Sequence, residues 1–415
     1  MAIFKTEFGG DRGELFQLAL KTGTLTLLTA GIYRFWATTR LRRWYWSSVR
    51  PGGMPLEYTG TALEKLIGFL IAIIILAIVL TAANLIALTL AVDVVQQFEQ
   101  LPFLTLATAG LIFVPLWYVA SYRARRYLLS RTRWRGIRMA MSPGGWGYAW
   151  RACLYGALNV LSLGLLWPLK TYRLEKFLTD RSWYGNERFT QHGGFGQLYG
   201  PILPFLFCIW GSLALLGYIG WEVSRLMSSD VDFLGAMALL QGNANVTWAS
   251  WAIFAFLPLS LLFGLYYRVA SIRVLVSYKT LGDGVEFDIY PRTRSILRIY
   301  ILGGLKTAFA VSLVSPIVLG LFLGVIWLFS DLSPQMLFQQ SGNMSAAAGL
   351  ITAIVIFLLR GVFRQIMIVY PLVKHFAESF ELHNPALVEG VRQRDKDQRT
   401  DGGGFAEALG AGGAF

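Results

Sequence analysis

Long uncharged runs of apolar residues alternate along this chain with short clusters of arginine, aromatic residues and glycine. The strongest runs are Leu66–Val92, Leu101–Ala120, Tyr199–Trp221, Val246–Tyr267 and Thr307–Ser330. Rising about 1.5 Å per residue, each is long enough to cross about 30 Å of hydrocarbon as a helix. A sixth run, Met344–Leu359, spans only if it continues past Arg360 and Arg364 toward Val373. That placement sets the two arginines near an interface, where a long side chain can snorkel. Two weaker segments remain, Leu15–Tyr33 (interrupted by Lys21) and Ala152–Leu169. The second contains Gly156, Asn159, Gly164 and Pro168 and has a basic block on both sides. A helix that breaks and returns is therefore predicted there, with a plain further span as the competing reading. Such a break is tolerated at membrane depth only where other helices cover its backbone groups.

Composition supports the same picture. Of 415 residues, 55 % are hydrophobic and 15 % charged, against about 25 % charged in soluble domains. This excludes a disordered chain, a disulfide scaffold and an ordinary cytosolic enzyme. Cys153 and Cys208 both lie in apolar runs, so neither a disulfide framework nor a cysteine metal site is expected.

The net charge of +13 is unevenly distributed. Residues 34–50, 121–138, 170–188 and 268–298 hold 23 of the 37 basic residues, whereas the other connections carry Asp93, Glu99, Asp230, Asp232 and Asp331 without Lys or Arg. The positive-inside rule makes the four basic blocks and the basic tail cytoplasmic, and the acidic loops external.

Internal similarity is visible at an offset of 133 residues. Leu28-Thr29-Ala30-Gly31-Ile32 matches Leu161-Ser162-Leu163-Gly164-Leu165, and Arg40, Leu41 and Trp44 meet Arg173, Leu174 and Phe177. This predicts a parallel duplication, with repeats at 1–142 and 143–298, a C-terminal transmembrane hairpin at 299–390, and a basic, then Gly-rich disordered tail at 391–415. A finer pattern of Arg, aromatic or small residue, Gly, then aromatic or Met occurs four times: Arg40–Trp44–Gly52–Tyr58, Arg123–Tyr127–Gly136–Met139, Arg173–Phe177–Gly185–Phe189 and Arg273–Ser277–Gly284–Phe287. Each glycine should turn the chain into a short extended stretch. The predicted fold is thus an all-α polytopic membrane protein with about six full transmembrane helices, two re-entrant or broken-helix segments and small cytoplasmic β-pairings.

Gly13-Glu14-Leu15-Phe16, the stretch from Leu27 to Ala37, Thr39-Arg40-Leu41-Arg42-Arg43 and Glu57-Tyr58-Thr59-Gly60 together resemble the YjgN family of bacterial inner-membrane proteins, whose function is unknown. The resemblance is most specific over residues 8–70 and looser over most of the chain. It implies a multi-pass protein of the bacterial inner membrane. It supplies no catalytic residues, and it points to a membrane-associated peptidase as a partner.

Few residues promise chemistry. His192, His375 and His383 are scattered, whereas zinc needs three or four convergent ligands. Neither Gly9-Gly10-Asp11-Arg12-Gly13 nor the C-terminal glycines open a nucleotide-binding loop. No enzyme activity, metal or cofactor is expected, and ATP-driven transport by this chain alone is disfavoured. The candidates are Arg40, Arg42, Arg43, Arg123, Arg173 and Arg273 as ligands for an anion or lipid headgroup, with Arg360 and Arg364 beside them and Gly31, Gly164 and Pro168 as helix breaks. The bland reading of these arginines is topology signal and headgroup anchor. Two functions follow: a transporter or channel-like protein for a lipid or small anionic solute, or a non-enzymatic subunit or scaffold docking a partner through its basic layer. Anionic membrane lipids are the expected partners; nucleic acid is not.

Overall fold

A computed structural model of the chain describes residues 3–94, 101–227, 235, 242–282, 284–329 and 342–394. The acidic residues Glu99, Asp230, Asp232 and Asp331 and the tail beyond Arg394 lie outside the described residues. Along the chain one order of elements, strand–helix–helix–strand, occurs five times. The first passage is β1 (Ile3–Phe8), α1 (Arg12–Leu28), α2 (Arg34–Ser48) and β2 (Val49–Pro51). The second is β3 (Leu56–Tyr58), α3 (Ala62–Val94), α4 (Leu101–Ser130) and β4 (Thr132–Trp134). The third comprises β5 (Ile137–Met141), α5 (Gly145–Leu161), α6 (Trp167–Thr179) and β6 (Ser182–Tyr184). The fourth has β7 (Glu187–Gln191), α7 (Tyr199–Met227), α8 (Ala244–Ser277) and β8 (Lys279–Leu281). In the last, β9 (Val285–Ile289) and α9 (Thr293–Phe329) precede α10 (Gly342–Arg364), a π-helical turn, α11 (Tyr370–Glu378) and β10 (Phe380–His383).

The strands overturn the all-α expectation. They are not isolated pairings but one ten-stranded antiparallel sheet in the order β2-β1-β10-β9-β8-β7-β6-β5-β4-β3. The first strand pairs with the last, Ile3 facing His383 and Lys5 facing Glu381. The sheet therefore curls into a nearly closed barrel whose one seam runs between β2 and β3, which the turn 52–55 links. The reason for the discrepancy is physical. Strands of three residues hold barely one period of alternation, and the pairing that closes the ring joins residues 380 positions apart. Where a strand is longer the pattern is clear: Val285, Phe287 and Ile289 are buried while Glu286 and Asp288 face outward.

One hydrogen bond marks every passage. The N–H of the residue after the first strand donates to a carbonyl at the end of the second helix: Gly9 to Ser48 (2.8 Å), Thr59 to Arg131 (2.8 Å), Ser142 to Arg181 (2.9 Å), His192 to Tyr278 (2.8 Å) and Tyr290 to Ser379 (3.0 Å). Each helix pair thus hands its chain back to the strand it came from.

By compactness the chain divides into two units. The first, Met1–Ala149 with Arg181–Phe189 and Leu281–Phe415, includes residues of all ten strands. The second, Trp150–Asp180 with Thr190–Thr280, packs α7 against α8. Its core is Tyr172, Leu198, Ile202, Leu206, Tyr267 and Leu275.

Among the described residues, five helical stretches are long and apolar enough to cross a membrane: Ala62–Ile86, Phe195–Met227, Ala244–Ser277, Thr293–Ile317 and Ala353–Glu378. The two weaker segments are broken helices. Both breaks use one device: Ala30 and Gly31 take φ of 48° and 93°, Leu163 and Gly164 take 51° and 93°. In both, the hydroxyl at the turn's start accepts an N–H four residues on, Thr29 from Tyr33 (2.9 Å) and Ser162 from Leu166 (3.1 Å). Pro168, buried, occupies the first turn of α6, where its missing N–H costs nothing.

Glycine is demanded most strictly at the β6–β7 turn. Gly185 has φ +55°, and a Cβ there would collide with the Arg392 carbonyl oxygen and Val391. The segment from Val391 lies along this turn, Asn186 and Arg392 exchanging hydrogen bonds of 2.8 and 2.9 Å. Replacing Gly185 by valine is expected to destabilise the protein by about 2–3 kcal/mol, since strain at positive φ of about 1–2 kcal/mol adds to the collision. Gly53→Ala, with open space around it, should cost only the strain. Thermal melts in mild detergent would rank the two.

Candidate functional site

Two features of the first unit, side by side, bring together most of what could bind a ligand. The first is the inside of the sheet. Alternation turns every second side chain inward, and those side chains are almost wholly apolar. Leu56, Phe287, Ile289 and Leu382 come from the strands, Trp46 from α2 and Phe376 and Ala377 from α11. They line a partly open cavity of about 380 Å³, within the range of about 300–1,000 Å³ usual for small-molecule sites. The rings of Phe189, Phe287 and Phe380 run round one wall at centroid spacings of 5.8 and 5.9 Å. On another, Trp134 and Tyr184 lie 5.6 Å apart. The Tyr184 hydroxyl donates to the Trp134 carbonyl oxygen at 3.0 Å, and burial pushes its pKa up to about 12, so it stays a neutral donor.

Two buried polar atoms of this wall lie on β1 and β4, the strands next to those at the seam. Thr6 Oγ1 and Trp134 Nε1 are buried and make no hydrogen bond among the described residues. Thr6 faces Pro51 of β2, and Trp134 faces Leu56 of β3. The two atoms therefore flank the seam.

The second feature is a group of cations against that same seam. On α2, Arg42 sits one turn before Trp46, its guanidinium 6.0 Å from the Trp46 ring centre and 5.8 Å from that of Tyr58. The Lys65 ammonium lies 5.1 Å from the Tyr58 ring in a side chain only 2 % exposed. Arg43 donates to the Gly60 carbonyl oxygen at 3.0 Å. Glu64 accepts from the Tyr127 hydroxyl (2.7 Å) and from Arg131 (2.9 Å). Four cations thus meet one carboxylate in this set of contacts. Burial lowers the pKa of Arg42, with Tyr58 and Tyr127 opposing it; burial also raises that of Tyr58, against the pull of Arg42.

Of the residues expected from sequence, Arg42 and Arg43 share these contacts. Arg40 is exposed, stacked 5.7 Å over Tyr33. Arg123, Arg173 and Arg273 are exposed on α4, α6 and α8, and Arg360 and Arg364 on α10. Gly31 and Gly164 lie at the tips of their helix pairs. His375 accepts the Arg292 N–H at 3.0 Å and His383 lies 3.1 Å from Asp288. Among the described residues, no three His, Cys, Asp or Glu converge on a metal position. Sequence reasoning missed Lys65, Tyr58, Glu64, Thr6 and Trp134. An ionisable Glu64-Lys65 pair at the mouth of the first apolar run was the available signal.

No curated protein and no solved structure matches the chain. The family model described as a bacterial protein of unknown function (DUF898) matches residues 4–319, from β1 into α9, about three quarters of the length. This membrane protein, with its strand–helix–helix–strand passages, belongs to that family.

Proposed function

We propose that this chain is a carrier of lipidic molecules in the bacterial inner membrane, with the inside of the sheet as its binding compartment. One observation carries the reading: a cavity of about 380 Å³ walled by apolar side chains. A small free anion gains nothing there, because an unpaired charge in such surroundings costs several kcal/mol or more; an alkyl or acyl chain gains about 0.8 kcal/mol per buried methylene. Between the lipid and small-anion versions of a transporter, the lining favours the lipid.

In this reading the sheet faces the cytoplasm, since the basic blocks 34–50, 121–138, 170–188 and 268–298 contain or adjoin its strands. The resemblance to the YjgN pattern over residues 8–70 supports the inner membrane. The chain is a parallel repeat at the scale of the single passage, which the recurring hydrogen bond after each first strand supports. The exposed Arg40, Arg123, Arg173 and Arg273 anchor their helices at anionic headgroups. The protein carries out no chemistry and hydrolyses no ATP itself.

Filling the compartment tests the reading. Ala377→Trp and Met139→Trp each put an indole into the cavity from a different wall. In variants that melt within a few degrees of wild type, lipid retained through purification, read by native mass spectrometry, is expected to fall at least tenfold. Unchanged lipid content in both filled variants would overturn the proposal.

A further inference from the structure

The seam gives the compartment a polar end, and we infer that its ligand is a single-chain anionic amphiphile: an acyl chain inside the sheet, with its carboxylate or phosphate head at the seam beside Arg42, Arg43 and Lys65. This inference rests on the reading of the cavity as a lipid compartment.

Three independent placements point to that side. The buried atoms Thr6 Oγ1 and Trp134 Nε1, without a hydrogen bond among the described residues, flank β2 and β3 from within. Leaving such atoms unmatched is unfavourable, so the strands on either side of the seam carry unmatched polar atoms in an otherwise apolar wall. The second placement is the break in the ladder itself. β2 and β3 stand at the two ends of the strand order, so the wall opens here without breaking strand pairing. Third, the cation group lies just outside: Trp46 belongs to the cavity wall and to the Arg42 contact alike, and its ring centre is 5.8 Å from that of Tyr58. With four cations to one carboxylate in those contacts, an added anion is electrostatically favoured, and more strongly so in a desolvated setting than in water.

The size argues for one chain. A cavity of about 380 Å³ lies near the lower end of the usual ligand-site range of about 300–1,000 Å³, which favours a ligand with one acyl chain over one with two.

The cavity walls hold Trp46 and Trp134, which serve as energy donors to a polyene fatty acid. The experiment titrates full-length protein, in an uncharged detergent, with cis-parinaric acid and with its neutral alcohol. Wild type is expected to bind the acid at least tenfold more tightly than the alcohol. Arg42→Gln and Lys65→Gln should each bring the acid down to the level of the alcohol, whereas Arg42→Lys keeps most of the preference. Ala377→Trp should abolish both signals. If the acid and alcohol bind wild type equally, and Arg42→Gln and Lys65→Gln alter neither, the seam is no headgroup site although the compartment stands. If neither probe binds wild type, the compartment reading itself falls. Should Arg42→Gln fail to fold, the acid-to-alcohol ratio of wild type and of Lys65→Gln decides the matter.

Discussion

Replacing Phe287 by alanine is expected to cost about 3–5 kcal/mol. Its ring is the middle member of the Phe189–Phe287–Phe380 row, with neighbours at 5.8 and 5.9 Å. It is buried and projects into the cavity. Truncation removes the ring's transfer energy and both aromatic contacts, and enlarges a void the surrounding strands cannot collapse, which is what makes such substitutions expensive. Phe287→Leu retains most of the volume and should cost about half as much. Urea or thermal unfolding followed by tryptophan fluorescence would measure both. A loss below about 1 kcal/mol for the alanine variant would mean that the row is not packed as described.

The second large effect is at Glu64. Its carboxylate accepts from the Tyr127 hydroxyl at 2.7 Å and from Arg131 at 2.9 Å, and the Arg131 side chain is only 13 % exposed. Glu64→Leu leaves that guanidinium and the buried Tyr127 hydroxyl without their acceptor. Removing one partner of a largely buried pair costs about 3–5 kcal/mol; because Glu64 itself is partly exposed, the lower end, about 3 kcal/mol, is expected. The double variant with Arg131→Leu should recover part of the loss, and a double-mutant cycle reads the difference. If the two losses simply add, the pair does not couple. Glu64 also joins the first turn of α3 to the end of α4, so its loss should loosen the base of that helix pair before the sheet.

How much of this was legible in the sequence differs from element to element. Five of the six expected membrane helices were, because about twenty apolar residues in a row suit a bilayer span; Leu101–Ala120 falls in α4 but outside the five stretches found among the described residues. Of the three expected break positions, Gly31 and Gly164 sit where the chain takes a φ that L residues resist, whereas Pro168 lies in the first turn of α6. The short extended stretches expected after Gly52, Gly136, Gly185 and Gly284 fall in β3, β5, β7 and β9. What could not be read was that they join. A three-residue strand carries no register information, and the partners of β1 and β10 lie at opposite ends of the chain. The site suffered likewise. Arg42 and Arg43 stood out as part of a basic block, but Lys65 and Glu64 lie alone just before the apolar run from Leu66, and Thr6 and Trp134 carry no motif. Their meeting depends on which strands neighbour the seam, a property of the closed ring and not of any local stretch.

The pairing of Ile3 with His383 also sets a timetable for synthesis. β1 leaves the ribosome first, yet its neighbour on one side is made 380 residues later; at about 5–20 residues per second that interval is about 20–80 s. Throughout it, the inward apolar faces of the early strands have no enclosed space to fill, and a strand edge stands open to any passing chain. Each helix pair meanwhile holds its own two strands side by side. Assembly is thus completed by the last strand made.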